Sequence, residues 1–361
     1  MLESQVTLSP SRLTLARHLR GQTKVELAAA SGISRRSLAN YEAGRSLLGQ
    51  SAAMRLAQVL NVSIEFLMAA EVDPPPAEAI SFRSLSRLPA RTRDRACALA
   101  TLASHLSDWL TDKIDLPEAD LPDWQYVNPE AAAEGLRAQW GLGVEPCPPL
   151  VPLLEAHGVR VFSLARLANQ WVGLDGLSFW HGTTPIVLID TAMPTSRLRM
   201  SLAHELGHLV LHKAHGLADR RVTEHEAAKF ASAFLLPSNS LTTCGVRTYN
   251  VEAIVQLKAV WGASVAALAR RLYEIKMLSE WNYRQVFIQL SILGWRKGEP
   301  EDTERPLPSE ASVLLRKVFT TLRTDGTTRP AVAKALHLEM DDLDALLVGL
   351  VPTTVAPVAT P

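Results

Sequence analysis

Apolar residues recur at helical spacing along most of the chain, and turn residues separate them into blocks. Over the first seventy residues the pattern predicts short helices, with Thr23 and Glu26 forming a capping box and Gly32 and Gly44 placed to end helices. Residues 88–112 then predict one longer helix. Three later apolar runs predict strands, at Val159–Phe162, Leu174–Phe179 and Ile186–Ile189.

Further helices follow the strands. Two long ones are predicted at about Arg197–Lys213 and Thr223–Leu236, and more helices reach about Trp295. The fold class is therefore mainly α, with an N-terminal five-helix domain, an α+β domain containing a small three-stranded sheet, and a helical C-terminal region. The predicted boundaries are 1–70, then 71–128 as linker and connecting helix, 129–300, and 301–361 as helical module and frayed tail.

Composition and charge are those of an ordinary soluble protein with one basic end. Hydrophobic residues make up 47% and charged residues 20%, as in ordinary soluble domains, and 37 basic residues balance 37 acidic ones. The first seventy residues are different, with eight basic and four acidic side chains, which suggests an end that faces nucleic acid. No signal segment and no apolar run near ~20 residues is evident, so we expect a cytoplasmic protein without membrane contact.

Cysteine usage also limits the chemistry. Cys97, Cys147 and Cys244 are odd in number and far apart, without a CxxC pair. Neither a disulfide framework nor a cysteine zinc site is expected.

His204, Glu205 and His208 form an HExxH pattern in the apolar run SLAHELGHLVLH. Two histidines four residues apart lie on one face of a helix, so both imidazoles can reach one Zn²⁺ ion. Glu205 can take a proton from water activated by that ion, which is the chemistry of peptide hydrolysis. The alternative is a chance match, but these groups are costly to bury on so apolar a helix without a partner. The pattern predicts zinc as cofactor and Glu205 as catalytic base.

The third protein ligand has several candidates downstream. His212 follows His208 by four residues, but three successive i+4 residues cannot converge on one ion, since each step rises ~6 Å. A carboxylate from the next helix is the better solution. Glu224 lies closer to the apolar stripe of that helix and is the first choice, and Glu226 is the second. For either, the alternative is a solvated acid favoured by the helix dipole.

The runs HELGHLVLH and TEHEAAKFASAFLLP resemble the ImmA/IrrE family of bacterial zinc metallopeptidases. The resemblance covers roughly 130–300 and implies a zincin-like domain of gluzincin type. By that match His204, His208 and Glu224 are the metal ligands and Glu205 is the general base.

Two positions depart from the pattern of that family. Ala228 stands where the family has Asn, which removes one amide near the ligands, and Asp190 stands where the family has Asn after the strand. Neither departure removes a ligand.

The residues that would bind substrate are left open. Ile186–Ile189 is either an edge strand that binds the substrate backbone by strand addition or an ordinary buried strand. A partner for the developing oxyanion is expected, and the sequence does not choose among His157, His181, Tyr249 and Tyr273.

The segment GISRRSLANYEAGR resembles the phage-repressor-like (XRE) helix-turn-helix family, over about 9–68. The second helix of such a motif enters the major groove of DNA. By this match the core positions are apolar and are Leu27, Ala28, Ile33, Leu38 and Tyr41.

The same match assigns the residues that face DNA. They are Ser34, Arg35, Arg36 and Asn40, and bidentate Arg–guanine and Asn–adenine pairs are worth ~1–3 kcal/mol each in discrimination. Lys24 stands where the family usually has Gln and would contact phosphate as a point charge. A helical protein-interaction module with a solvated arginine face is the alternative.

The sequence as a whole predicts a transcriptional regulator fused to a zinc endopeptidase. The resemblance implies cleavage of a repressor-like protein, in stress response, mobile-element control or toxin–antitoxin systems. The expected partners are a double-stranded DNA operator and that protein substrate. Nucleoid association would follow from DNA binding, and a homodimer stays open. One alternative is a regulator whose peptidase-like domain is a non-catalytic scaffold, and another is a peptidase whose helix-turn-helix only docks a protein.

The region after residue 300 is less informative. Thr327–Leu336 and Met340–Leu347 predict a small helical pair. A dimerisation element, a sensing element and a stabilising tail are all compatible with it.

Overall fold

The computed structural model describes residues 5–75, 89–164, 174–213, 219–243, 251–295, 299 and 307–352. Cys244, Tyr249, most of the predicted linker after Pro75 and the predicted frayed tail after Pro352 lie outside these residues. Contacts divide the chain into two units. The first comprises Met1–Leu116, Phe162–Leu174 and Leu315–Pro361, and the second comprises Pro117–Val161 and Asp175–Leu314.

The N-terminal part of the first unit contains the five predicted short helices, a two-stranded ribbon and one long helix. These elements are β1 Gln5–Val6, α1 Pro10–Leu19, α2 Lys24–Ser31, α3 Arg35–Glu42, β2 Leu48–Gly49, α4 Gln50–Leu60, α5 Ile64–Met68 and α6 Ala90–Lys113. β1 pairs with β2 in antiparallel orientation.

Local polar chemistry sets the bounds of these helices. Thr23 and Glu26 form the predicted capping box at the start of α2, and the side chains of Ser34 and Ser63 cap α3 and α5. Gly32 ends α2 in the left-handed region at φ 66°, which an L side chain rarely adopts.

The second unit contains most of the remaining helices and a small sheet. Its elements are α7 Pro129–Gln139, α8 Leu150–Ala156, β4 Gly176–His181, β5 Thr184–Ile189, α9 Thr195–Leu211, α10 Arg220–Leu235, α11 Ser238–Thr243, α12 Val251–Trp261, α13 Val265–Glu274 and α14 Glu280–Ile292. β3 Arg160–Ser163 follows α8, and the boundary between the two units falls after its Val161. The mainly helical fold class with its three-stranded sheet is confirmed.

The order of the strands corrects one interpretation. The sheet has the order β3-β5-β4, and β4 pairs with β5 in antiparallel orientation, with Leu177 opposite Leu188. The run Ile186–Ile189 therefore lies in the central strand and is buried throughout. Its role as an edge strand that adds substrate is wrong, because both of its sides are already paired.

α9 and α10 pack closely against each other at a glycine. A Cβ atom at Gly207 would lie 3.1 Å from Phe230 Cδ1 and 3.2 Å from the Cα atom of Ala227. Gly207 and Ala227 are both buried, so two small residues allow the two helix backbones to approach. This approach brings the start of α10 beside the C-terminal half of α9.

Three more helices complete the described chain, α15 Val313–Thr324, α16 Arg329–Ala335 and α17 Met340–Leu347. From Leu315 onward they belong to the first unit. Arg20 at the end of α1 donates two hydrogen bonds to the carboxylate of Asp342, at 2.7 and 2.8 Å. Residues 322 positions apart in sequence are thus joined within one unit.

No single described helix is long and apolar enough to cross a bilayer, and one pair, Val251–Trp261 with Val265–Glu274, meets the criteria together but is bent by 101°.

Candidate metal centre

The side chains of His204, His208 and Glu224 meet between α9 and α10. The two Nε2 atoms are 3.1 Å apart, and the carboxylate of Glu224 lies 3.4 Å from Nε2 of His204 and 3.3 Å from Nε2 of His208. α9 supplies the two histidines from successive turns of one face, and α10 supplies the carboxylate across the Gly207 contact. The cluster predicted from sequence is present.

The separations of these donor atoms fit a metal ion. Ligands that lie ~2.0–2.1 Å from a tetrahedral ion are about 3.3 Å from one another. The three donor atoms, all within 4.8 Å of one another, meet that spacing without rearrangement. Two imidazoles and one carboxylate also form a donor set typical of catalytic rather than structural sites.

The charge state of Glu224 favours cation binding. Burial raises the pKa of its carboxyl group, but hydrogen bonds and charge from His204 and His208 outweigh burial, so the pKa lies well below its usual range. Glu224 is therefore ionised at neutral pH, as a metal ligand must be.

Glu205 is buried beside this cluster, with 3% of its surface exposed. Its Oε2 atom accepts a hydrogen bond of 2.6 Å from the hydroxyl of Ser178 on β4. Gly176 allows β4 to approach the same side chain, because a Cβ atom there would lie 3.3 Å from Cγ of Glu205. The strand and the helix together hold the carboxylate.

Sequence reasoning did not identify Ser178 as part of the site. The available signal was a hydroxyl in the otherwise apolar run LSFW, at a position of β4 that is buried. A buried serine requires a hydrogen-bond partner, but the sequence does not indicate which one.

Glu226, the second choice as ligand, is not in the cluster. Its Oε2 atom lies 2.9 Å from Nε2 of His212. Nδ1 of His212 lies 3.2 Å from Nδ1 of His208, on the side of that imidazole away from Glu224. His212 therefore contacts a predicted ligand without joining the group of three.

The two departures from the family pattern have different surroundings. Ala228 is exposed, whereas its neighbour Ala227 is fully buried against α9. Asp190 follows β5 and accepts a hydrogen bond from the backbone N–H of Ala192 at 3.0 Å, and burial raises the pKa of its carboxyl group.

Three of the four oxyanion candidates lie in the described part of the chain. His157 stacks on Trp140 and lies 3.0 Å from the carboxylate of Asp120. Tyr273 stacks on Tyr283. His181 is half-buried at the end of β4, and Tyr249 lies outside the described residues.

The helix-turn-helix segment presents the predicted contact residues at the start of α3. Ser34, Arg35 and Arg36 are exposed and Asn40 is half-buried, and the hydroxyl of Ser34 also caps the helix. Of the five predicted core residues, Tyr41 is half-buried and the other four are buried, namely Leu27, Ala28, Ile33 and Leu38.

Lys24 has a contact that the sequence interpretation did not include. Its Nζ atom lies 2.9 Å from the carboxylate of Glu42, which also pairs with the buried guanidinium of Arg17. About half of the Lys24 side chain remains exposed. The lysine is thus held at the N-terminus of α2 by a buried acid from α3.

Comparison with protein families agrees with both halves of this description. Residues 154–273 match the peptidase M78 family, described as an IrrE N-terminal-like domain. Residues 15–67 match a helix-turn-helix family. No curated protein matches the chain. The protein thus combines a helix-turn-helix DNA-binding domain with an M78 IrrE-like metallopeptidase domain, and both predicted resemblances are confirmed.

Proposed function

We propose that this protein is a transcriptional regulator with a zinc-dependent endopeptidase activity that cleaves a repressor-type protein. The observation that carries the proposal is the buried carboxylate of Glu205 beside the cluster of His204, His208 and Glu224. A metal site with an adjacent general base fits hydrolysis, whereas a purely structural site needs no such base. Stress response, mobile-element control and toxin–antitoxin systems are the settings in which such cleavage would regulate transcription.

The protein's own residues supply binding and proton transfer in this mechanism. His204, His208 and Glu224 would hold Zn²⁺ through Nε2 and carboxylate oxygens, since the spacing of these atoms fits that ion. When bound, zinc would polarise the scissile carbonyl and acidify a water molecule. Glu205 accepts the proton of the water and later passes it to the leaving amine. Ser178 donates to one carboxylate oxygen of Glu205 and so restrains the orientation of that carboxylate.

The test of the activity is a comparison of proteomes from cells that produce the wild type or Glu205→Gln. We expect a repressor-type protein to disappear with the wild type and to persist with the variant. Glu134→Gln, at an exposed position of α7, is the matched control and should behave as the wild type. Purified Glu205→Gln should keep stoichiometric zinc, whereas His204→Ala should lose it.

Three results would contradict this proposal. Cleavage retained in Glu205→Gln would remove Glu205 as the base. Zinc-free wild type, or identical proteomes, would favour the alternative of a regulator whose peptidase-like domain is a scaffold.

The DNA-binding part of the proposal assigns Ser34, Arg35, Arg36 and Asn40 to the major groove and Lys24 to phosphate. It is supported by the exposure of the first three at the start of α3. We expect Arg36→Ala to weaken binding to a duplex selected from a random DNA library by about 5- to 100-fold. Arg316→Ala, at an exposed position of α15, is the control. Equal binding by both variants in a gel shift would contradict the assignment and favour a protein-docking module.

A further inference from the structure

A chain of three side chains extends from one predicted ligand away from the metal centre. Nδ1 of His208 lies 3.2 Å from Nδ1 of His212, and Nε2 of His212 lies 2.9 Å from Oε2 of Glu226. The chain links α9 to the second turn of α10. His212 is mostly enclosed, with 12% of its side chain exposed, whereas 36% of the Glu226 side chain is exposed.

The atoms in this chain fix where the ring protons must be. His208 directs Nε2 toward His204 and Glu224, so its proton must be on Nδ1 if Nε2 binds a metal. That N–H can then donate to Nδ1 of His212, which must be unprotonated to accept. The proton of a neutral His212 is consequently on Nε2, where it donates to Glu226. Each N–H in the chain has an acceptor, and each acceptor has one donor in the chain.

We propose that His212 and Glu226 are positioning residues that hold His208 in the Nδ1–H form and in the orientation that directs Nε2 to the metal. This inference rests on the proposed metallopeptidase function and deepens it. Metal-bound histidines are commonly oriented by an acceptor on the second ring nitrogen, and losing such an acceptor typically weakens metal binding by about 10- to 100-fold. His212 is itself not a ligand, because its two nitrogens face His208 and Glu226.

A purely structural role makes a different prediction. The His212–Glu226 contact also ties the end of α9 to α10, so a structural role would lower the stability of the metal-free protein and leave zinc affinity unchanged. Zinc affinity therefore separates the two roles.

The experiment measures the zinc dissociation constant of the full chain by competition with a chromophoric chelator. We expect His212→Phe to raise this constant about 10- to 100-fold. His212→Asn should recover part of the loss, because its side-chain carbonyl can still accept from Nδ1 of His208. His225→Phe is the matched control on the exposed face of α10 and should bind zinc as the wild type does.

Glu226→Gln provides a milder variant that keeps an acceptor for His212, in case His212→Phe does not fold. Its zinc constant should rise by less than that of Glu226→Met, which has no strong acceptor. The absorption of the Co²⁺-substituted protein should also change in both His212 variants, since it reports the geometry of the ligands.

The outcomes separate this inference from the proposed function. A wild type that binds zinc, together with His212 and Glu226 variants that bind it equally tightly, would overturn the positioning role alone. A wild type that does not bind zinc would overturn both.

Discussion

Glu42 shows how one buried acid can organise a small domain. Its side chain is 3% exposed and pairs with Arg17 of α1 and Lys24 of α2. Burial raises the pKa of Glu42, but the hydrogen bonds and charges of Arg17 and Lys24 outweigh burial, and the pKa is lowered overall. A carboxyl group whose pKa is lower in the folded protein than in the unfolded chain stabilises the folded state at pH values above its pKa in the unfolded chain. This stabilisation is lost as the pH falls through the pKa that the group has in the folded protein.

The first prediction concerns the acid sensitivity of the helix-turn-helix. Glu42→Gln leaves the buried Arg17 without its charged partner and should lower the free energy of unfolding at pH 7 by about 3 kcal/mol or more. The difference from the wild type should shrink at pH 3, which lies below the ordinary pKa of a glutamic acid, because protonation of this carboxyl group in the unfolded chain then removes part of the stabilisation. Urea denaturation followed by circular dichroism at both pH values measures this. Glu65→Gln, at an exposed position of α5, is the control, and a pH-independent difference would contradict the prediction.

The predicted metal ligands differ in how far the sequence could identify them. His204 and His208 follow from helical geometry, because residues four apart lie on one face whatever surrounds them. The choice between Glu224 and Glu226 depends on how α10 is rotated about its axis relative to α9. The spacing of the residues left this choice open, and the family resemblance favoured Glu224. The role of His212 required the position of Glu226, which belongs to a different helix.

Among the elements, α9 and α10 are held at a distance that one glycine determines. A side chain at Gly207 would meet the Cα and carbonyl oxygen of Ala227 at 3.2 Å, and backbone atoms cannot move aside as a flexible side chain can. A larger residue would gain helix propensity of up to ~1 kcal/mol relative to glycine. Overpacking costs ~1–3 kcal/mol and also displaces α10, so the steric effect is expected to exceed the gain.

The second prediction follows from this contact. Gly207→Val should lower the free energy of unfolding by ~1–2 kcal/mol and weaken zinc binding, because moving α10 separates Glu224 from His204 and His208. Thermal unfolding and chelator competition measure the two effects. Ala138→Val, at an exposed position of α7, introduces the same side chain into a helix without the contact. Zinc affinity equal in Gly207→Val and this control would show that the helix spacing does not set the site.

The bounds of the elements were largely predictable, because they depend on local chemistry. Thr23 caps α2 at the predicted position, Ser34 and Ser63 cap α3 and α5, and each side chain accepts a hydrogen bond from the backbone N–H three residues further on. The strand order was not predictable from the runs themselves. Most residues of all three strands are buried, so the pattern does not distinguish a central strand from an edge strand.

At the scale of the whole chain, the C-terminal helices resemble the N-terminal ones in local design. α16 begins at the cap Thr328 and is followed by a residue in the left-handed region, His337 at φ 57°, as Gly32 follows α2 at φ 66°. The first turn of α17 carries Asp341 and Asp342, where α3 carries Arg35 and Arg36. The acidic helix is thus unsuited to DNA phosphates, and Asp342 instead pairs with Arg20.

The Arg20–Asp342 pair suggests that the C-terminal module stabilises the helix-turn-helix. Arg20 also donates to the carbonyl oxygens of Leu60 and Asn61, at 2.7 and 2.8 Å. These two hydrogen bonds hold its guanidinium in place independently of Asp342. A prepositioned bidentate partner loses little side-chain entropy on pairing. Because both side chains are mostly buried, at 22% and 12% exposed, the pair should exceed the ~0–1 kcal/mol of surface ion pairs.

The third prediction is a coupling energy across 322 residues of sequence. A double-mutant cycle with Arg20→Met and Asp342→Asn should give about 1–2 kcal/mol, between the values for surface pairs and for buried charged hydrogen bonds. The exposed pair Arg284–Glu280 within α14 is the control and should give below ~0.5 kcal/mol. Urea denaturation of the four variants supplies the energies. Coupling no larger than that of the control would mean that the C-terminal module does not stabilise the DNA-binding end through this pair, whereas the expected value would make residues 315–352 an integral part of it.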